Sequence, residues 1–318
     1  MTPFKTATLS TIAACVLATA AWSETRVTYK SAKVGSSYYQ MAVELSEAMK
    51  AGSEGAISVT VEESQGSVQN VMEVRARSGD YVFTTPPALI SLAQDGKAMF
   101  EGKSDPSFDG IQALFPIPSL TMHFVMSDAS GVTNFAEMEG KTVLLGSGSF
   151  GAREGAKYIE LFGLEDKVTV ADSELSNAVS ALKNGQIDGF VTAGSYPAPN
   201  VIEAAASTGV TVLSLTADQI AQSKRTELVI PAGTYAGQDK DITTTSLPVV
   251  AYSTSKMDDD TAYELTKTYW ETKADMAGTA KWWAGVSTDM LANITTQIHP
   301  GALRYYKEIG APLTDAHM

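Results

Sequence analysis

Two rhythms of apolar and polar residues alternate along this chain. Arg26–Val34 is rich in β-branched and apolar residues and ends in Gly35-Ser36-Ser37; beyond it Tyr38, Ala42, Leu45 and Met49 recur at helical spacing. Ser58–Glu62 predicts a second strand that passes through Gln65-Gly66-Ser67 into a helix opened by Val68, Val71 and Met72. Tyr81–Thr84 predicts a third strand, halted at Pro86-Pro87. Repeated strand–loop–helix units imply a mainly parallel sheet with helices on both faces, an α/β fold.

The rhythm breaks at Phe115-Pro116-Ile117-Pro118, after which Thr121–Met126 predicts a strand with no helix before it. A second series follows. Thr142–Leu145 leads through the glycine-rich Gly146–Gly151 into a helix reaching Phe162. Val168–Val170 precedes a helix bearing Leu175, Ala178, Val179 and Leu182, Asp188–Thr192 runs into Ala193-Gly194-Ser195-Tyr196-Pro197, and Val210–Leu215 closes the series. Leu247–Ser253 predicts a strand returning to the first half, with two helices after it, and no repeat is visible. The expected division is a first lobe of residues 24–122 and 216–318 around an inserted second lobe of residues 123–215. The strands near Thr121–Met126 and Leu247–Ser253 form the hinge of this two-lobed clamshell.

The first residues change the picture by fixing a compartment. Lys5, the apolar run Ile12–Ala21 and Ala21-Trp22-Ser23 read as a secretory signal cleaved before Glu24. The run is shorter than the about 20 residues a permanent membrane helix needs. Ile12-Ala13-Ala14-Cys15 also resembles a lipoprotein processing site, although the apolar run continues past Cys15. Cleavage before Glu24 leaves 295 residues without cysteine, hence no disulfide to depend on in an oxidising compartment such as the periplasm. That length favours two cores over one. It also removes Lys5, leaving 22 basic against 36 acidic residues and a net charge of −14. Such a balance disfavours nucleic acid and anionic membrane surfaces as partners.

Catalytic groups are sparse. His123, His299 and His317 are scattered without zinc-ligand spacing, so neither a metal nor a catalytic residue is assigned, and His317 is expected to be mobile at the C-terminus. Ser147-Gly148-Ser149-Phe150-Gly151 lacks the first glycine of a nucleophile elbow. Gly146-Ser147-Gly148-Ser149-Phe150-Gly151, with Asp172 further on, has the spacing of a dinucleotide fingerprint. Its place in the inserted lobe of an exported protein disfavours that cofactor, and no cofactor is assigned. What remains is a glycine loop opening a helix, a setting suited to an anion. Gly35, Ser36 and Ser37, then Gly66 and Ser67, then Gly194 and Ser195 repeat that setting at strand ends, where open α/β sheets bind ligands. Ser at such positions is more often simply a helix cap. Arg153 in the first turn of its helix is read either as half of a surface ion pair with Glu154 or as the partner of a ligand carboxylate. Tyr38 and Tyr196 can wall the site, whereas Tyr39, Trp282 and Trp283 read as core. The candidate ligand residues are Gly35, Ser36, Ser37, Tyr38, Gly66, Ser67, Asn70, Thr85, Ser147, Ser149, Arg153, Ser195 and Tyr196.

Gly35, Ser36, Ser37, Tyr38, Gly66, Ser67 and Asn70 lie in segments that carry a family pattern. Ile298-His299-Pro300-Gly301-Ala302-Leu303-Arg304-Tyr305-Tyr306-Lys307-Glu308-Ile309-Gly310 and Ile230-Pro231-Ala232-Gly233-Thr234-Tyr235-Ala236-Gly237-Gln238-Asp239 are its most specific pieces. Gly35-Ser36-Ser37-Tyr38-Tyr39, Gly66-Ser67-Val68-Gln69-Asn70 and Glu139-Gly140-Lys141-Thr142-Val143 extend it. Over essentially its whole exported length the chain resembles the TAXI-type extracytoplasmic solute-binding proteins of TRAP transporters. Where that family usually has Gly-Ser-Gly-Thr this chain has Ser149-Phe150-Gly151-Ala152, and Thr84-Thr85-Pro86-Pro87 stands where it often has Gln-Ser-Asp. The resemblance implies a monomeric periplasmic clamshell of the type II kind that captures a small anionic solute, a carboxylate such as glutamate or 2-oxoglutarate. It also implies delivery to an ion-driven TRAP membrane subunit. A sensor lobe feeding a signalling receptor and an enzyme on the same clamshell are the alternatives; the scarcity of catalytic groups weighs against the second.

Overall fold

The computed structural model describes residues 24–34 and 36–318; the signal-like segment with Lys5 and Cys15, and Gly35, lie outside the described residues. The first half of the fold opens with β1 (Thr25–Lys30), α1 (Ser37–Gly52), β2 (Ile57–Glu62), α2 (Ser67–Glu73), β3 (Tyr81–Thr85) and α3 (Pro87–Gln94). Strand β1 pairs in parallel with both β2 and β3. The helical spacing read from the sequence lands on the buried face of α1, where Tyr38, Met41, Ala42, Leu45 and Met49 meet the sheet. Burial contributes about 1.5–3 kcal/mol for each such large side chain. Ser36 caps the helix, its hydroxyl accepting the Tyr39 amide at 3.3 Å.

Strand β4 (Ile111–Ser127) is longer than the sequence suggests. It runs straight through Pro116 and Pro118, residues that supply no ladder N–H and normally end a central strand. Here tertiary partners serve the prolines' carbonyls: Tyr269 donates to Pro116 O and Tyr38 to Pro118 O, each at 2.7 Å. Tyr269 also stacks on Phe115 at 4.0 Å between ring centres.

The second half comprises β5 (Thr142–Leu144), α4 (Phe150–Leu161), β6 (Thr169–Ala171), α5 (Ala178–Lys183), β7 (Gly189–Gly194), α6 (Pro199–Thr208), β8 (Val210–Val212), α7 (Ala217–Ser223) and β9 (Thr226–Ile230). Strand β10 (Ile242–Thr254) then returns, followed by α8 (Asp259–Thr279) and α9 (Pro300–Glu308). One curled sheet results, in the order β2-β1-β3-β10-β4-β7-β5-β6, with β8 added to β4 and β9 to β10. Strand β5 pairs in parallel with β6 and β7. The sheet is nevertheless mixed, because β4 and β10 run antiparallel to each other and to their other neighbours. These two strands tie the halves together. The N-terminal part of β4 pairs with β10 and its C-terminal part with β7, while β10 passes from β9 to β3.

Two apolar clusters fill the molecule. The larger runs from Val27 through Phe115 to Tyr306, and the smaller gathers Val125, Leu144, Phe190 and Val201. Ile230, Tyr235 and Ile242, which the expected division gives to the first lobe, pack in the smaller cluster. His317 is not mobile but buried, with Nδ1 accepting the Thr314 amide at 3.1 Å and Nε2 facing Ile294 O at 3.2 Å.

Candidate functional site

Carboxyl ends of strands from both halves converge on one cleft of about 250 Å³. The first half contributes Ser31–Val34 after β1, Ser36 at the cap and Tyr38 in the first turn of α1, Glu63 and Gln65–Ser67 after β2, and Thr84 of β3. The second contributes Ser149 and Phe150 at the start of α4, Glu174–Ser176 after β6, and Ala193 of β7, while Leu120 of β4 and Val249 of β10 form the floor. Gly66 adopts φ +119°, a conformation that side chains disfavour. A Cβ there would lie 3.7 Å from the Phe150 backbone nitrogen, so the glycine is also a point of approach between the halves.

Much of the polar lining is already committed within the protein. Ser31 donates to Tyr38 O at 2.7 Å, and Thr84 donates to the Tyr29 hydroxyl at 2.9 Å. Burial pushes the Tyr29 hydroxyl up to about 12 and that of Tyr38 well above its ordinary value. Ser149 caps α4 by accepting the Ala152 amide at 2.9 Å. The walls between these groups are carbon: Ala32, Tyr38, Leu120, Phe150, Ala193 and Val249.

Charge is confined to Lys33, Glu63 and Glu174. Lys33 reaches across the cleft, its Nζ 2.6 Å from Glu174 Oε2 and 3.1 Å from Ser147 O. Its side chain is 14% exposed, against 57% for Glu174. A further bridge joins the halves where Ser195 N donates to Ser37 Oγ at 3.2 Å.

Of the candidate residues, Ser36, Tyr38, Gly66, Ser67 and Ser149 line this cleft. Ser37 is spent on the bridge to Ser195 N. Asn70 is fully buried behind the wall, where its amide donates to Ser31 O and Thr84 O, each at 2.8 Å. Thr85 is fully buried and its hydroxyl has no partner among the described residues. Ser147 donates to Asp172 at 2.6 Å, which engages the acid of the fingerprint-like motif within the protein. Ser195 and Tyr196 line a different cavity, beside Thr121, Pro231 and Trp282. Arg153 is exposed on the outer side of α4, its guanidinium 5.7 Å from the Phe150 ring centre, and it does not reach the cleft. It forms no ion pair with Glu154, which is held by Arg225 at 2.8 Å. One turn into α4, Arg153 lines a separate surface recess with Lys157 and Val170 and is not among the residues that line the cleft. Lys33 was overlooked, although a basic residue two positions before the glycine of a strand-end loop signals a cation at the cleft. Phe150 and Leu175 were overlooked as walls.

Nothing in this arrangement resembles acid–base machinery. Burial holds His123 down to about 4, with Nε2 at 2.8 Å from the Tyr235 hydroxyl; His299 caps α9 and is likewise lowered by burial. Among the described residues no group of three or more His, Cys, Asp or Glu is placed to hold a metal ion, and no helix is long and apolar enough to cross a membrane.

Residues 30–310 match the sequence profile of the NMT1-like family. The fold is similar to that of the periplasmic binding protein BugD, with a TM-score of 0.54 and 12% identity over 90% of this chain and 98% of that one. It is similar also to MatC from Rhodopseudomonas palustris with bound malate, with a TM-score of 0.56 and 14% identity over 90% of this chain and 97% of that one. A protein described as a periplasmic transporter gives a TM-score of 0.52 and 11% identity over 90% of this chain and 92% of that one. The chain thus has the two-lobed clamshell fold of periplasmic binding proteins.

Proposed function

The chain belongs to the NMT1-like family, and from that premise we propose that it is an extracytoplasmic solute-binding protein that captures a small carboxylate and delivers it to a membrane transporter. One observation carries the reading: a small cleft lined from both halves, at the carboxyl ends of their strands, closed over by side chains that cross it. We draw the lobes at the crossing points of β4 and β10, with residues 121–246 as the second lobe, because α7 packs on α4 and β9 and the start of β10 join the smaller apolar cluster. Lys33 at the mouth supports an anionic ligand. The TAXI-like segments support an ion-driven TRAP partner, and the signal-like pattern of Lys5, Ile12–Ala21 and Ala21-Trp22-Ser23 supports export to the periplasm. Native mass spectrometry of protein purified from its host, followed by denaturation, tests the reading. A carboxylate of low mass carried in one-to-one ratio is expected. A protein that carries nothing and binds no member of a carboxylate library would refute it.

A further inference from the structure

Resting on the solute-binding reading, we infer that the cleft selects a monocarboxylate with an apolar body, and that Lys33 leaves Glu174 to become its charge partner. The body is specified by the walls. Ala32, Leu120, Phe150, Ala193, Val249 and the Tyr38 ring present carbon, and the hydroxyls of Ser31 and Thr84 donate within the protein, so the polar lining left for a ligand is the neutral Gln65, Ser67, Ser149 and Ser176. A cleft of about 250 Å³ is small beside the roughly 300–1,000 Å³ of drug-sized sites, so the body is short.

The charge is specified by arithmetic at the mouth. Among the described residues Lys33 is the one basic side chain in the lining; it pairs with Glu174, while Glu63, the other acid of the lining, accepts the Val34 amide at 3.3 Å. A single ligand carboxylate can replace Glu174 on Lys33, because Glu174 is 57% exposed and returns to water at little cost. A second carboxylate finds no second cation among the described residues. It would either be desolvated against carbon and neutral side chains with no cation to pair it or crowd Glu63, and both are unfavourable. The glutamate- or 2-oxoglutarate-like dicarboxylates implied by the TAXI resemblance therefore fit this lining poorly. Arg153, the other basic residue the sequence offered for a ligand carboxylate, lines a separate recess on α4.

The test is calorimetric titration of the full exported chain with isovalerate, phenylacetate, glutarate and the neutral phenylacetamide. The two monocarboxylates are expected to bind about tenfold or more tighter than glutarate. Lys33→Met should weaken phenylacetate about tenfold while leaving phenylacetamide unchanged. Glu174→Gln, an exposed position whose change spares the fold, should tighten phenylacetate, since the ligand no longer competes for Lys33. Glutarate binding tightest, or Lys33→Met weakening acid and amide alike, would overturn the inference. So would weaker phenylacetate binding in Glu174→Gln, which would make the ion pair a latch that closes over the ligand. If none of these probes binds although the protein carries a solute from its host, the ligand class is wrong and the solute-binding reading stands. If nothing is carried and nothing binds, that reading falls as well.

Discussion

Replacing Asn70 by aspartate keeps the shape of a fully buried side chain and removes both of its donors. The asparagine amide holds Ser31 O and Thr84 O, each at 2.8 Å, and its Oδ1 accepts from Ser64. One side chain thus fixes the ends of β1 and β3 and the loop after β2, three walls of the cleft. Each buried carbonyl left unpaired costs about 1–3 kcal/mol. An aspartate would add a carboxylate facing those two carbonyls, so about 4 kcal/mol is expected for Asn70→Asp. Asn70→Ala removes the donors without adding charge and leaves room for water, so about 2 kcal/mol is expected. The difference between the variants has a pH signature. Burial and the facing carbonyls raise the folded-state pKa of the new acid above its unfolded value. Its deficit is therefore full at neutral pH and shrinks as pH falls through the raised value, where the protonated acid regains a donor. Urea unfolding of both variants at about pH 7 and about pH 5 measures this. A loss below about 1 kcal/mol for Asn70→Asp, or a deficit that does not change with pH, would refute the tethering role.

His123 is buried and neutral, so its contribution of about 3 kcal/mol is full above about pH 6.5 and lost as pH falls towards 4. His123→Gln should flatten that part of the stability profile, and an unchanged acid limb in urea titrations would contradict the assignment. A Cβ on Gly194 would sit 2.1 Å from Ser37 Oγ, so Gly194→Ala must break the Ser37–Ser195 bridge and should weaken solute binding about tenfold, with little change in melting temperature. Arg153→Ala should leave solute affinity within about twofold, since the side chain lies outside the cleft; a tenfold loss by calorimetry would return Arg153 to the site.

What could be read from the sequence follows from how local each signal is. Alternation and helical spacing located β1, β2, α1 and the glycine-opened α4, because those elements are set by their own side chains. The first half of β4 was hidden, since Pro116 and Pro118 argue against a strand and their compensation comes from Tyr38 and Tyr269, remote in sequence. Strand β9 was missed for a similar reason: Thr226–Ile230 is short and mostly exposed, and its pairing with β10 defines it. At the site, the sequence pointed to the correct loops but not to which way each residue faces. Ser36, Ser37 and Ser149 are the helix caps and bridges that such serines usually are. Arg153 and Lys33 look equally available in the sequence, and only the fold turns one outward and brings the other across the cleft.

The central claim is that a small solute is held between two lobes hinged on β4 and β10. Small-angle scattering on residues 24–318, with and without the solute identified from the host, reads that closure out. A smaller radius of gyration is expected at saturating solute, as the side carrying Lys33, Ser37 and Gly66 closes on the side carrying Ser147, Ser195 and Phe150. An unchanged radius at saturation would contradict it.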